Sequence, residues 1–190
     1  MRRRTFDIIL TAVGGVLAVG LLVAGGLLTW GYHFANQTVH DQLAAQQIFF
    51  PPKGSEALAS PEIGPYLNQY AGQQLTTGAQ AEAYADHFIK VHLAEVAGGK
   101  TYAQVSSEAQ KNPTDQQLQQ QVQTLFRGET LRGMLLNAYA FWKFGQIALY
   151  AAIASFIGAA ALLALTALGY RHARRVEPEQ QVFEKATANA

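Results

Sequence analysis

Residues 8–30, IILTAVGGVLAVGLLVAGGLLTW, and residues 144–168, FGQIALYAAIASFIGAAALLALTAL, decide the fold. The first run is 23 residues long and the second 25, and neither contains a charge. A helix of the shorter length rises roughly 34 Å, enough to cross a hydrocarbon core about 30 Å thick. Lipid offers no partner to an unpaired backbone amide, so each run should be an α-helix. A soluble core is a poor alternative. A chain of 190 residues cannot wrap two such cylinders on every side.

The flanks give the runs a direction. Arg2, Arg3 and Arg4 precede the first, and Arg171, Arg174 and Arg175 follow the second. Short arginine-rich flanks stay in the cytoplasm, so both termini are expected there. Residues 33–143 then lie outside, with seven basic and nine acidic residues and a net charge of −2. Arg132 and Lys143 pull mildly the other way, but a long translocated segment is insensitive to such charges. Trp30 and Tyr32 at one end, and Tyr139, Phe141 and Trp142 at the other, suit a single headgroup layer; Tyr170 suits the opposite one. A cleaved signal peptide is the rival for the first run. Arg3-Arg4-Thr5-Phe6 resembles a twin-arginine start, yet Asp7 breaks it. The apolar stretch is also too long, and its best cleavage point, Val23-Ala24-Gly25, is mid-run. An uncleaved anchor is expected.

The expected architecture is an all-α membrane protein, two transmembrane helices forming a hairpin and flanking an extracytoplasmic helical bundle. Its divisions are a cytoplasmic N-terminus (1–7), a first span (8–31), an extracytoplasmic helical domain (32–143), a second span (144–170) and a cytoplasmic tail (171–190), mobile from about residue 176. The first helix should run outward to about Gln47 and end at Phe49-Phe50-Pro51-Pro52. Gly64-Pro65 should interrupt a helix begun at Ser60, leaving a short one over 66–71. Thr77/Gln80, Thr101/Gln104 and Thr114/Gln117 have capping-box spacing. Tyr84, Phe88 and Val91 make an apolar stripe, widened by Ile89, Leu93 and Val96, and Asp86 precedes Lys90 at the favourable four-residue spacing. Gly98-Gly99 stops that helix. Leu118, Val122, Leu125 and Phe126 form the seam of the next. After Gly128 a further helix, with Leu131, Met134, Leu135, Ala138, Tyr139 and Trp142 on one side, enters the second span.

Small residues at helical spacing suit the packing of one span on the other: Gly14 with Ala18 and Gly20 with Ala24, against Ala148, Ala152, Ser155 and Ala159 and the series Ala151-Ser155-Ala159. The same faces would serve a second copy or a partner. Neither span holds Asp, Glu, Lys, Arg or His, which is unlike a pump or proton path.

Chemistry is harder to find. The chain has no cysteine, which excludes thiolate nucleophiles and zinc–thiolate sites. A net charge of +1 gives no electrostatic case for nucleic acid. His33 and His40 are seven apart, His87 and His92 five apart, and His172 stands alone, so none has the three- or four-residue spacing of a helical metal site. His40, Asp41 and His87 are a remote option for a two-histidine, one-carboxylate iron triad. No nucleophile elbow or phosphate loop occurs. No catalytic residue, cofactor or metal is expected.

Two features exceed the needs of packing. Phe49, Phe50, Pro51, Pro52 and Lys53 put two aromatics before a rigid diproline, either as a plug for the bundle or as a docking loop for another envelope protein. Arg127 and Arg132, five apart near the membrane, suit headgroups and a salt bridge to Glu129, or an anionic lipid or partner.

The stretches HFANQTVHDQLAAQQIFFPPKG (33–54), YLNQYAGQQLTTGAQAEAYADHFIKVHL (66–93) and FRGETLRGMLLNAYAFWKFGQIAL (126–149) resemble a group of two-span actinobacterial membrane proteins. The resemblance implies an actinobacterial inner-membrane location. Some of that group carry an aromatic ring-opening dioxygenase label, which the missing iron triad does not support. The expected function is non-enzymatic: an accessory, scaffold or assembly protein whose partners are the bilayer and another envelope protein or a second copy. A ligand-sensing module that signals through a partner is the alternative, and a metal-dependent enzyme comes last.

Overall fold

The computed structural model describes residues 2–177. The expected tail therefore lies largely outside the described residues, from 178 onward. The described chain is helical, with no strand and one isolated antiparallel bridge between Phe49 and Gln74. Two long helices, α1 (Arg3–Ala45) and α6 (Gln116–Ala173), enclose four shorter ones in sequence: α2 (Gly64–Leu67), α3 (Gly78–Tyr84), α4 (Lys90–Ala97) and α5 (Tyr102–Lys111). A π-helical turn, Ala85–Ile89, joins α3 to α4. Both long helices are apolar and long enough to cross a membrane, and only 11% of the apolar window of each is buried. A core helix of a soluble protein would be mostly covered.

The chain divides into two compact units. One contains residues 2–32 and 147–177, the apolar parts of α1 and α6. Their contacts run in opposite chain directions: Thr11 meets Gly169, Gly14 meets Thr166, Leu21 meets Gly158 and Gly25 meets Phe156. A Cβ added at Gly25 would stand 2.8 Å from the Phe156 ring, so any larger residue there must displace that ring. Ala18, Ala152 and Ala159 are buried between the helices. Gly14 with Ala18 thus lies on the contact face as expected. Gly20 does not: it faces open space, and Gly25 takes its place one turn and a half further on. Thr29 and Ser155 turn their hydroxyls back to the carbonyls of Gly25 and Ala151 at 2.8 Å, so neither leaves a bare donor in apolar surroundings.

The second unit is His33–Gln146. Leu67, Leu75, Val105 and Leu125, from four different segments, are its most deeply buried large side chains. Local chemistry explains most of the element ends. Thr77 and Thr101 each accept from the backbone N–H three residues on, while Gln80 and Gln104 accept from the cap residue in return. Gly98 closes α4 in the left-handed region, at φ 58°.

Three expectations are corrected. Asp115, not Thr114, caps α6, its carboxylate accepting from the Leu118 N–H at 3.0 Å. Gly64-Pro65 starts α2 rather than interrupting a helix, because proline in the first turn gives up an amide that has no helical partner anyway. Gly128 does not divide α6. It lies against the Leu93 side chain, where a Cβ has no room, so close packing rather than chain breaking explains the glycine. The first helix ends at Ala45, slightly short of the expected Gln47, which itself adopts φ 53° in the turn that follows.

Candidate functional site

The loop after α1 is built by its second phenylalanine. Phe50 is 2% exposed, its ring 5.2 Å from that of Tyr70 and 5.3 Å, edge-on, from that of Tyr84. Burial also raises the Tyr84 hydroxyl above its ordinary pKa, since the phenolate would be poorly solvated there. The backbone is pinned on both sides. Phe50 donates to Gln73 O at 2.9 Å, Leu75 to Ile48 O at 2.9 Å and Gly72 to Pro51 O at 3.0 Å. The Gln74 amide donates to Ala44 O at 2.8 Å. Phe49 therefore has nowhere to turn but outward, and it is 58% exposed. Pro52 and Lys53 are exposed beside it, and Pro51 is half-buried. The two expected roles are divided: Phe50 is the plug, and Phe49 is displayed.

The arginines also separate. Arg127 is exposed beside Gln120, Gln123 and Thr124 of α6. Arg132 is committed inside the unit, Nη2 donating to Asp86 Oδ1 at 2.7 Å and Nη1 to Glu129 Oε2 at 3.3 Å. The hydrogen bond to Asp86 is the main cause of its raised pKa. The expected bridge to Glu129 is present. Asp86, whose spacing in sequence favours Lys90, is the closer of the two partners.

The histidines are not gathered. His40 lies 3.2 Å from its neighbour Asp41, and His87 stacks on Tyr66 with ring centres 3.5 Å apart. His92 Nδ1 is 2.8 Å from the Phe88 carbonyl. His172 approaches Asp7 at 3.8 Å in the other unit. Among the described residues no three His, Asp or Glu side chains are placed to hold a metal ion.

A groove of about 740 Å³ lies between α1 and α6 within the second unit. Val39, Leu43 and Ile48 line one side, and Leu131, Met134, Leu135 and Phe141 the other. Thr38, Gln42, Gln46 and Asn137 supply the polar lining, and none of the lining residues is charged. Phe141 also meets Phe34 edge-on with ring centres 6.3 Å apart, and Gln146 donates to Asn36 at 3.3 Å. Sequence reasoning missed this groove. The sequence puts Leu131, Met134 and Leu135 on one apolar side of a helix, yet Leu135 is buried and Met134 is 67% exposed. The mixture of glutamines with Val39 and Leu43 on one helix was the available signal: a face too polar for a core and too apolar for water.

No known protein family, curated protein or solved structure matches the chain, and the actinobacterial resemblance gains no support from them.

Proposed function

We propose that this chain is a two-span integral membrane protein of the cell envelope, with both termini cytoplasmic and residues 32–143 forming an extracytoplasmic helical bundle. The two apolar helix segments fold as a hairpin. The bundle docks another envelope protein, and the chain serves as an accessory, scaffold or assembly factor without catalysis of its own. The orientation is supported by the arginines at 2–4 and at 171, 174 and 175. The docking role rests on Phe49. An aromatic held outward on a pinned backbone loses little freedom on binding, which is the property of an interface anchor.

A photo-reactive benzophenone amino acid placed at position 49 tests the reading in living cells. The expected product is one discrete cross-linked protein, lost from the purified complex in Phe49→Ala while the variant's thermal unfolding is unchanged. No adduct above that of a reporter at exposed Lys111 contradicts it. Ligand sensing is the second reading, favoured by the groove between α1 and α6, whose volume falls in the roughly 300–1,000 Å³ usual for ligand sites.

A further inference from the structure

We propose that the groove between α1 and α6 receives an acyl chain of a bilayer phospholipid. Three observations converge on that occupant. First, the lining is mostly apolar and carries no charge, although ionisable residues are near in sequence: His40 with Asp41 on α1, and Arg132 on α6. Those groups face other partners, and none contributes to the lining. A protein segment docked here would have nothing charged to read, whereas a hydrocarbon chain needs nothing charged. Second, the exposed wall is Met134, flanked by Leu131 and Phe141. Methionine is the side chain best able to repack around a flexible chain of variable shape. Third, the wall is continuous with an apolar span. Phe141 precedes the run at 144–168 by three residues in the same unbroken helix, so less than one turn separates the groove lining from a lipid-facing sequence. From Leu131 to Phe141 the helix rises about 15 Å, room for much of one chain. The amides of Gln42 and Asn137 offer donors to an ester carbonyl and carry no charge to repel it.

The inference rests on the two-span reading and is independent of Phe49. The full chain is reconstituted in phosphatidylcholine nanodiscs containing a small fraction of phosphatidylcholine with a diazirine near its acyl terminus. After irradiation, adducts are mapped by mass spectrometry. Adducts are expected on Val39, Leu131 and Met134 as well as on the spans. Ala45→Trp, which fills the groove from an exposed position, loses the groove adducts and keeps those on the spans. Gln42→Trp, a second exposed filler, does the same, and Ala140→Trp, outside the groove, changes neither. Adducts confined to 8–30 and 144–168, or groove adducts indifferent to both fillers, overturn the lipid site while leaving the membrane reading intact. No adducts on either span overturn the membrane reading itself. A covalent dimer of Met134→Cys formed by oxidation in the nanodisc would put a second copy in the groove and also overturn the proposal.

Discussion

Arg132 on α6 reaches Asp86 in the turn between α3 and α4 across 46 positions of chain, with 2.7 Å between Nη2 and Oδ1. The pair is an ionic tie between the long helix and the turn that joins α3 to α4. Arg132 is 25% and Asp86 31% exposed, so solvent weakens the bond without abolishing it. Arg132→Ala should cost about 1–2 kcal/mol of unfolding free energy, the lower part of the range for a charge-assisted bond. A double-mutant cycle with Asp86→Ala should return a coupling of about 1 kcal/mol that shrinks with added salt. Additive losses would show the two charges to be independent.

Gly78 and Gly133 should respond in opposite directions to alanine. A Cβ at Gly78 runs into the Trp142 side chain close to its backbone, whereas Gly133 faces open space in mid-helix. Gly78→Ala should destabilise by about 1–3 kcal/mol through overpacking. Gly133→Ala should stabilise by about 0.5–1 kcal/mol through helix propensity. Thermal unfolding in a mild detergent reads both.

Gly25 and Gly20 make the same contrast in the apolar unit. Gly25→Val drives a branched side chain into Phe156 and should lower the unfolding temperature, while Gly20→Val, on the open face, should leave it unchanged. Equal effects at both positions would remove Gly25 from the helix contact.

Tyr84 sets a pH limit. Its folded pKa is raised above the ordinary 10.0 by burial, so the folded state holds the phenolic proton more tightly than the unfolded chain does. The associated stability is complete below pH 10.0 and is lost as pH rises beyond it towards the raised folded value. Tyr84→Phe should unfold with a shallower loss of stability over that alkaline window than the parent chain. Parallel profiles would mean that the hydroxyl titrates alike in both states.

The sequence carried the two apolar helices and two of the three expected caps, because a charge-free run and a threonine with a glutamine three residues on rest on local rules. At Thr114 the same spacing misled, because the neighbouring Asp115 takes the capping position. The sequence also misled where glycine and proline had two physical uses. Gly128 reads as a breaker and serves instead as the seat for Leu93, a distant residue that no local window contains. Pro65 reads as an interruption and serves as a first-turn residue. The Phe49–Lys53 segment was visible as unusual, but which phenylalanine is buried depends on Tyr70 and Tyr84, supplied by later segments. Arg132 was paired with Glu129 from spacing alone, while its stronger bond to Asp86 needed the tertiary fold. The groove was hidden because it arises where α1 and α6 leave space between them, which periodicity along either helix does not encode.

Cysteine labelling in intact spheroplasts tests the proposed topology most directly, and the chain has no native cysteine to interfere. Lys53→Cys, Thr5→Cys and Glu177→Cys are each treated with a membrane-impermeant maleimide before and after permeabilisation. The two-span account predicts that position 53 reacts at once, and that positions 5 and 177 react only when the membrane is opened. Immediate reaction at 5 or 177, or protection of 53, would contradict it.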